Sequence, residues 1–380
     1  MNNIIKYINT DNCRNIYILI VFTILCSNLI NTEKLYFLEL LNIKYTRYVV
    51  IALFFIFVSY FVFNNKYKIL RELKYYFVSI FLYITTVIYH NVFTIQFVED
   101  TIKLFLLSFL IFLPSFNKKH HNKITKGLYV FLVLTIIYGI SLKYILYLHN
   151  VPIFSIRTTF ISENGFSDFS SYLLLFAFLI ATKINAKKLS YIFLILGAIT
   201  LTRGFFIAIF IYYLIKYLKK NINLNLNFVY ILVFLNILLL LLSHMLIGIE
   251  PEQHSQSISR FFTYDNNIYL RFKMYLDVLN LVFNDFINII FGYGSNYAEV
   301  KNIYFVIHNG LLHIIMESGL LFAGILMFIL YKLLTKNYNN IEYYFSIATF
   351  TLFTPNTLSF YYIILIVFVS KIKISKRIHD

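Results

Sequence analysis

Four arginines and one histidine in this sequence have the chemistry needed to bind an anion and to move a proton. The arginines are Arg157, Arg203, Arg260 and Arg271. A guanidinium group stays protonated and offers a planar fork of N–H donors to phosphate oxygens, so together they predict an anion site. His308 is the candidate general base, because an imidazole titrates close to neutral pH.

Further residues are predicted to support this site. They are Glu163, Asn164, Gly292, Gly294, Asn309 and Glu317. Glu317 follows His313 by four residues, so the two side chains share one face of a helix. Simpler interpretations stay open: Arg203 as a charge reaching from a helix end toward water, the other arginines as solvated loop charges, and the histidines as structural residues.

The sequence offers no framework for a metal or a disulfide. The acidic residues of the outer loops form no DxD motif or other tight cluster, so we expect chemistry without a divalent ion or cofactor. The two cysteines, Cys13 and Cys26, form neither a CxxC motif nor a Cys/His cluster. The predicted site therefore depends on arginine and histidine side chains.

The composition places these residues in a membrane protein. Of the 380 residues, 60% are hydrophobic and 13% are charged, and the mean hydropathy is +0.74. Soluble domains average about 45–50% apolar and about 25% charged residues, so the excess apolar surface must face lipid. The formal net charge of +16 does not indicate nucleic-acid binding, because the basic residues lie in short runs between apolar segments.

The apolar segments predict an all-α polytopic integral membrane protein with about 11–12 transmembrane helices. The candidate segments are 15–31, 48–63, 75–93, 101–116, 127–148, 168–183, 189–202, 204–218, 226–247, 309–331, 342–353 and 357–370. The last two, divided by Thr354-Pro355-Asn356, are also compatible with one re-entrant hairpin. We expect residues 1–380 to form a single transmembrane domain.

The positions of lysine and arginine predict the orientation in the membrane. Cytoplasmic loops hold the excess of these residues, and placing the N-terminus inside assigns about two thirds of the 33 to the cytoplasmic side. Only the first outer loop, with Lys34, Lys44 and Arg47, runs against this pattern. Both termini are therefore predicted to be cytoplasmic, and the candidate site is predicted to lie on the outer face.

The outer segment 248–308 is much longer than an ordinary connection between helices. Within it, residues 268–283 have the pattern of an amphipathic helix that lies against the membrane or the top of the bundle. The glycines of Phe291-Gly292-Tyr293-Gly294-Ser295 predict the turn that ends this helix. A shorter outer loop, residues 149–168, carries Arg157, Glu163 and Asn164.

The order of these features resembles the O-antigen polymerase and O-antigen ligase family of bacterial inner membranes. The motifs are Thr202-Arg203-Gly204, Tyr269-Leu270-Arg271-Phe272-Lys273-Met274-Tyr275, Phe291-Gly292-Tyr293-Gly294, and His308-Asn309-Gly310-Leu311-Leu312 with Glu317-Ser318-Gly319. The resemblance covers about residues 157–330. Such loops often carry a Trp after the Arg, whereas this chain has no Trp and Tyr275 occupies that place. Ser259-Arg260 competes with Leu270-Arg271 as the matching arginine.

The resemblance implies a fold similar to lipid-dependent, GT-C-like glycosyltransferases and a reaction on the periplasmic face. The implied donor and acceptor are glycans linked to undecaprenyl pyrophosphate, and a chain-length regulator protein is a further implied partner. An inverting single displacement needs one base and an anion clamp, whereas a retaining hydrolase needs two carboxylates. We therefore expect His308 to act as the base and the four arginines to bind pyrophosphate.

Three functions are compatible with the sequence. A polymerase transfers glycan to a second lipid-linked repeat unit and a ligase transfers polymer to lipid A-core. The motifs barely separate these two. The divergent, Phe-, Tyr- and Ile-rich composition is similar to that of polymerases encoded within O-antigen gene clusters, and this resemblance favours the polymerase. A flippase of the same pathway would also have about twelve spans, but with short outer loops and internal repeats. The long segment 248–308 and the lack of an apparent repeat argue against a flippase.

Overall fold

The structure is a computed structural model that describes part of the chain. The described residues are 2–29, 49, 51–53, 55, 56, 58, 78, 80, 81, 84, 85, 102, 105–107, 109–113, 115–148, 167–200, 202–221, 226–249, 266–284, 286–293, 309–334, 340–353 and 360–373. These residues are predominantly helical and contain no β-strand. An isolated parallel bridge joins Phe116 to Ile372.

The helices follow the apolar segments of the sequence. In chain order they are α1 (Asn2–Leu29), α2 (Lys118–Leu148), α3 (Ser167–Lys183), α4 (Lys187–Ile199), α5 (Arg203–Leu218), α6 (Phe228–Leu246), α7 (Asn266–Asn284), α8 (Phe286–Phe291), α9 (Gly310–Leu333), α10 (Ile341–Thr351) and α11 (Phe360–Lys371). A helix satisfies its backbone hydrogen bonds internally, as a segment in lipid must. The predicted segments 48–63, 75–93 and 101–116 are described only in part.

Four helical regions differ from the sequence prediction. Helix α1 begins at Asn2, well before the predicted segment 15–31, and α2 begins at Lys118, before the predicted segment 127–148. Helix α7 covers the predicted amphipathic segment but is followed by the short helix α8, so that the glycine turn ends α8 instead of α7. Helix α9 contains a break at Gly319, where the backbone φ is 77° and ψ is 171°.

The described residues form two compact units, which divide α5 after Phe206 and α11 before Ile364. The first unit contains α1 to α4, the first turn of α5 and most of α11. The second unit contains the rest of α5, helices α6 to α10 and the start of α11.

One end of the first unit collects the start of α2, the ends of α3 and α11, and the start of α4. The amide of Phe116, just before α2, donates to the carbonyl of Lys371 at 2.9 Å. The buried Lys183, the last residue of α3, donates from Nζ to the carbonyl of Val369 on α11. Helices α2 and α4 therefore begin at the same end and run in the same direction.

One end of the second unit collects the end of α5, the start of α6, the end of α9 and the start of α10. Asn227, which caps α6, donates to the carbonyls of Tyr331 and Leu334. Lys219, just after α5, forms a 2.9 Å ion pair with Glu342 on α10. Helices α6 and α9 therefore run in opposite directions from this end.

Four helices expose apolar stripes along one face. The exposed residues are Tyr129, Val130, Val133, Ile136, Ile137 and Ile140 on α2; Tyr191, Ile192, Ile195 and Ile199 on α4; Phe206, Ile207, Phe210, Tyr213, Leu214 and Tyr217 on α5; and Tyr230, Val233, Phe234, Ile237, Leu238, Leu241, Leu242 and Met245 on α6. Soluble monomers rarely expose apolar patches of this extent. Among the described helices, α6 and α9 are also long and apolar enough to cross a membrane. Both observations are consistent with an α-helical membrane protein.

Candidate functional site

A buried asparagine fixes the N-terminus of α9. Asn309 is the N-cap, and its Oδ1 accepts hydrogen bonds from the amides of Leu311 and Leu312, both at 3.1 Å. Its Nδ2 donates at 2.9 Å to Oδ1 of Asn236 on α6. Both asparagines are buried, so an unmet amide would cost about 1–3 kcal/mol. Asn309, which the sequence predicts to support the site, is thus also the cap that orients α9.

This contact places the start of α9 beside the middle of α6. Asn236 is eight residues from Phe228 and ten from Leu246, the two ends of α6. At 1.5 Å per residue, it lies about 12 Å from one end of the helix and about 15 Å from the other. Asn309 is therefore level with the middle of α6 and about 15 Å from the end of this helix at Leu246.

Two glycines from different motifs meet where α9 breaks. A Cβ atom on Gly319 would lie 2.0 Å from the carbonyl oxygen of Ile290, and one on Gly292 would lie 2.6 Å from the amide nitrogen of Gly319. Both glycines have a positive φ, 77° for Gly319 and 74° for Gly292, which side chains disfavour. The end of α8 therefore packs directly against the α9 backbone, and only glycine fits on either side.

Tyr293 joins this contact to α7. Its amide donates to the carbonyl of Met316 at 2.7 Å, which in an unbroken helix would accept from residue 320. Its hydroxyl donates to the carbonyl of Leu281 on α7 at 2.8 Å. The glycine turn that the sequence identifies thus ties the α9 break to the end of α7.

Helix α7 packs one face into the core of the second unit. Its buried residues Met274, Tyr275 and Val278 form a cluster with residues of α6, α9 and the end of α10, namely Leu239, Leu312, Met316 and Leu352. The Tyr275 hydroxyl donates to the carbonyl of Leu352 at 3.1 Å. Burial raises the pKa of Tyr275, and the nearby guanidinium of Arg271 offsets part of that rise. The half-buried Arg271 therefore lies on the α7 turn beside this core.

His313 and Glu317 lie together on the first segment of α9. The Nε2 atom of His313 is 3.7 Å from Oε2 of Glu317, which is longer than a hydrogen bond and within reach of an ion pair. Both side chains are partly exposed, at 17% and 31%. The i, i+4 spacing that the sequence predicts therefore brings them together, one turn before the break at Gly319.

Arg203 occupies the first position of α5 in the first unit. The amides of Phe205 and Phe206 donate to the carbonyl of Thr202, at 3.1 and 3.3 Å, and so start the helix. A cation at a helix N-terminus opposes the helix dipole, whereas an anion is favoured there. The half-buried Arg203 and the helix start therefore both attract negative charge.

Six predicted site residues lie outside the described part of the chain. They are Arg157, Glu163, Asn164, Arg260, Gly294 and His308. Of the others, Arg271, Gly292, Asn309 and Glu317 belong to the second unit and Arg203 to the first. Within the described residues, no three His, Cys, Asp or Glu side chains form a group that could hold a metal ion.

Two structural roles were not predicted from the sequence: the hydrogen bond of Asn236 to Asn309 and the helix break at Gly319. Asn236 is an amide within an apolar helix, and a polar residue at that depth is costly unless it has a partner. That signal was available in the sequence, but its partner lies 73 residues away along the chain. The break at Gly319 has no comparable signal, because an isolated glycine is tolerated inside a helix.

Comparisons of the chain with protein-family models, curated proteins and solved structures found no match.

Proposed function

We propose that the chain is an O-antigen polymerase, a membrane glycosyltransferase acting at the periplasmic face of the bacterial inner membrane. It joins oligosaccharide repeat units that are carried on undecaprenyl pyrophosphate. The observation that carries the proposal is the meeting of three separate motifs in the second unit. The α7 motif with Arg271, the glycine turn at Gly292 and the segment from Asn309 to Gly319 share direct contacts or one core.

In the proposed reaction, a sugar hydroxyl of the acceptor attacks the anomeric carbon of the donor. The bond from that carbon to a pyrophosphate oxygen breaks, and undecaprenyl pyrophosphate leaves with the electron pair. His308 accepts the hydroxyl proton, while Arg271 stabilises the charge on the leaving pyrophosphate, with Arg203, Arg260 and Arg157 as further candidates for this role. One displacement inverts the anomeric configuration and requires no second carboxylate.

The start of α9 supports the part of the proposal that concerns the leaving group. Asn309 caps α9, and the N-terminus of a helix carries the positive end of the helix dipole. This potential favours the anionic leaving group. His308 directly precedes this cap in the sequence.

The proposal includes about 11–12 membrane spans with both termini in the cytoplasm. Within each unit, helix ends assigned to the cytoplasm by charge lie together, as at the start of α2 with the end of α11 and the start of α6 with the end of α9. The apolar stripes on α2, α4, α5 and α6 give these helices a surface that suits lipid.

A lipopolysaccharide gel of a deletion strain tests the function. Loss of a polymerase leaves lipid A-core and lipid A-core with a single repeat unit. Loss of all O-antigen with accumulation of lipid-linked polymer would instead identify a ligase. Loss with the lipid-linked repeat unit held inside the cell would identify a flippase.

Purified protein with lipid-linked repeat units tests the base. We expect His308→Ala to slow turnover by about 10²–10⁴-fold while donor binding persists. The matched control is His244→Ala, because His244 is exposed near the end of α6, and it should keep wild-type turnover. Wild-type turnover in His308→Ala would move the base elsewhere, with Glu317 or Glu163 as the next candidate.

The same assay tests the metal-independent mechanism. We expect turnover to be unchanged by EDTA, because the proposed charge stabilisation comes from arginines. Abolition by EDTA, with recovery on adding a divalent cation, would contradict this part of the mechanism.

A further inference from the structure

Two parallel helices of the first unit present the same surface pattern. In each, an exposed lysine is followed by an exposed tyrosine three residues later, and then by exposed aliphatic residues. The matching positions are Lys126 and Lys188, Tyr129 and Tyr191, Val130 and Ile192, and Val133 and Ile195. Spacings of three and four residues place each series on one helix face.

The two series of side chains lie at the same distance from the end at which α2 and α4 begin. The rings of Phe131 on α2 and Phe193 on α4 are 5.8 Å apart, and each phenylalanine follows its lysine by five residues. Helices α2 and α4 begin at the same end, as the hydrogen bonds of Phe116 and Lys183 to α11 require. The two lysines are therefore level, and so are Tyr129 and Tyr191.

The order of side chains matches the layers of one lipid leaflet. Lysine reaches the headgroup phosphates, tyrosine is enriched at the boundary between headgroups and hydrocarbon, and aliphatic side chains face the acyl chains. Tyr129 is 49% exposed and Tyr191 is 62% exposed. Both rings are therefore available to lipid.

The surrounding charge favours an anionic headgroup. We call this part of the first unit the basic end; its described cations are Arg14, Lys118, Lys119, Lys123, Lys126, Lys183, Lys187, Lys188, Lys371 and Lys373. The acidic side chain described there is Asp11, which pairs with Arg14 at 2.7 Å and with Lys119. Lys126, Lys187 and Lys188 are exposed, so the basic end keeps a large positive charge toward its surroundings.

We propose that the basic end binds anionic phospholipid headgroups of the adjoining leaflet through Lys126 and Lys188, with Tyr129 and Tyr191 at the interface. The ligand is a lipid because each lysine continues directly into an exposed tyrosine and aliphatic stripe, which would meet the rest of the molecule. The inference depends on the proposed membrane location and is independent of glycosyl transfer.

The chain allows a local optical test because it contains no Trp. Tyr191→Trp introduces one fluorophore at the interface position. The full-length protein is reconstituted in vesicles of equal phosphatidylcholine and phosphatidylglycerol, in which one or the other lipid carries brominated acyl chains. We expect stronger quenching by the brominated phosphatidylglycerol, because the anionic lipid gathers around the lysines.

Variants in the Tyr191→Trp background then test the two lysines. We expect Lys126→Gln and Lys188→Gln each to lower the enrichment of the anionic lipid by about fivefold, the factor that one basic residue contributes near an anionic surface. Lys126→Arg with Lys188→Arg should preserve it. The control is Lys220→Gln with Lys273→Gln, which removes two exposed lysines of the second unit and should leave the enrichment unchanged.

The ratio of the two quenching values separates binding from folding, since loss of insertion lowers both values together. Equal quenching by the two lipids in the Tyr191→Trp protein would overturn the proposal. An unchanged ratio in both glutamine variants would also overturn it. Turnover with lipid-linked repeat units reports on the proposed function separately, so either proposal can fail while the other holds.

Discussion

The buried amides of Asn236 and Asn309 each complete the hydrogen bonds of the other. Asn236→Leu leaves the Asn309 amide without its acceptor, and Asn309→Ala removes both the cap and the donor to Asn236. We expect each change to lower the free energy of unfolding by about 1–3 kcal/mol. The double variant should lose less than the sum of the two, by about 0.5–3 kcal/mol. Denaturation of the four proteins in one detergent measures this coupling, and strictly additive losses would contradict a direct interaction.

The arginines can be distinguished from simple surface charges by conservative substitution. We expect Arg203→Ala and Arg271→Ala to abolish polymerisation while the protein still accumulates. Lysine at either position should restore little of the activity, because an ammonium group cannot form the bidentate hydrogen bonds that guanidinium forms with phosphate. Lys273→Gln, an exposed neighbour of Arg271 on α7, is the matched control and should retain activity. Full activity of Arg203→Lys would favour the alternative in which Arg203 only reaches toward water.

The contact between α8 and the α9 break can be tested by substituting Gly319. In Gly319→Ala a methyl group would sit 2.0 Å from the Ile290 carbonyl oxygen at a positive φ, so α8 or the break must move. The backbone conformation of Gly319, with φ 77° and ψ 171°, is essentially restricted to glycine and costs about 1–3 kcal/mol for a residue with a side chain, and the clash adds to this. We expect reduced thermal stability and little activity.

The control lies five residues further along the same helix. A Cβ atom on Gly324 meets nothing within 4 Å, so Gly324→Ala should be neutral or raise stability by up to about 1 kcal/mol through helix propensity. If Gly324→Ala and Gly319→Ala have equal effects, the α9 break is not held by this contact.

The helices themselves were largely predictable, because local signals define them. Arg203 begins α5 and Asn284 ends α7 within a few residues of the predicted positions, since apolar runs and turn residues are read locally. The break at Gly319 was not predictable, because it depends on the backbone of Ile290 arriving from a separate helix. The sequence identifies Asn309 and Glu317 as candidates but does not identify Asn236 as the partner of Asn309, because the two asparagines are 73 residues apart along the chain.

The orientation of each unit in the membrane can be tested separately. Lys123 belongs to the first unit and Lys220 to the second, and the charge pattern assigns both to the cytoplasm. Each lies at an end where several helix termini meet, so a reporter there samples the sidedness of a group of helices.

We expect fusions at Lys123 and Lys220 of a reporter that is active only outside the cytoplasm to be inactive. A fusion at Gln256, within the long outer segment, should be active, because this segment connects α6 to α7 on the side opposite the capping contacts of Asn227. Reporter activity at both lysine positions with none at Gln256 would indicate the opposite orientation of the chain in the membrane. That result would contradict a reaction at the periplasmic face. Activity at only one lysine position would contradict the orientation that the charge pattern predicts for the unit concerned.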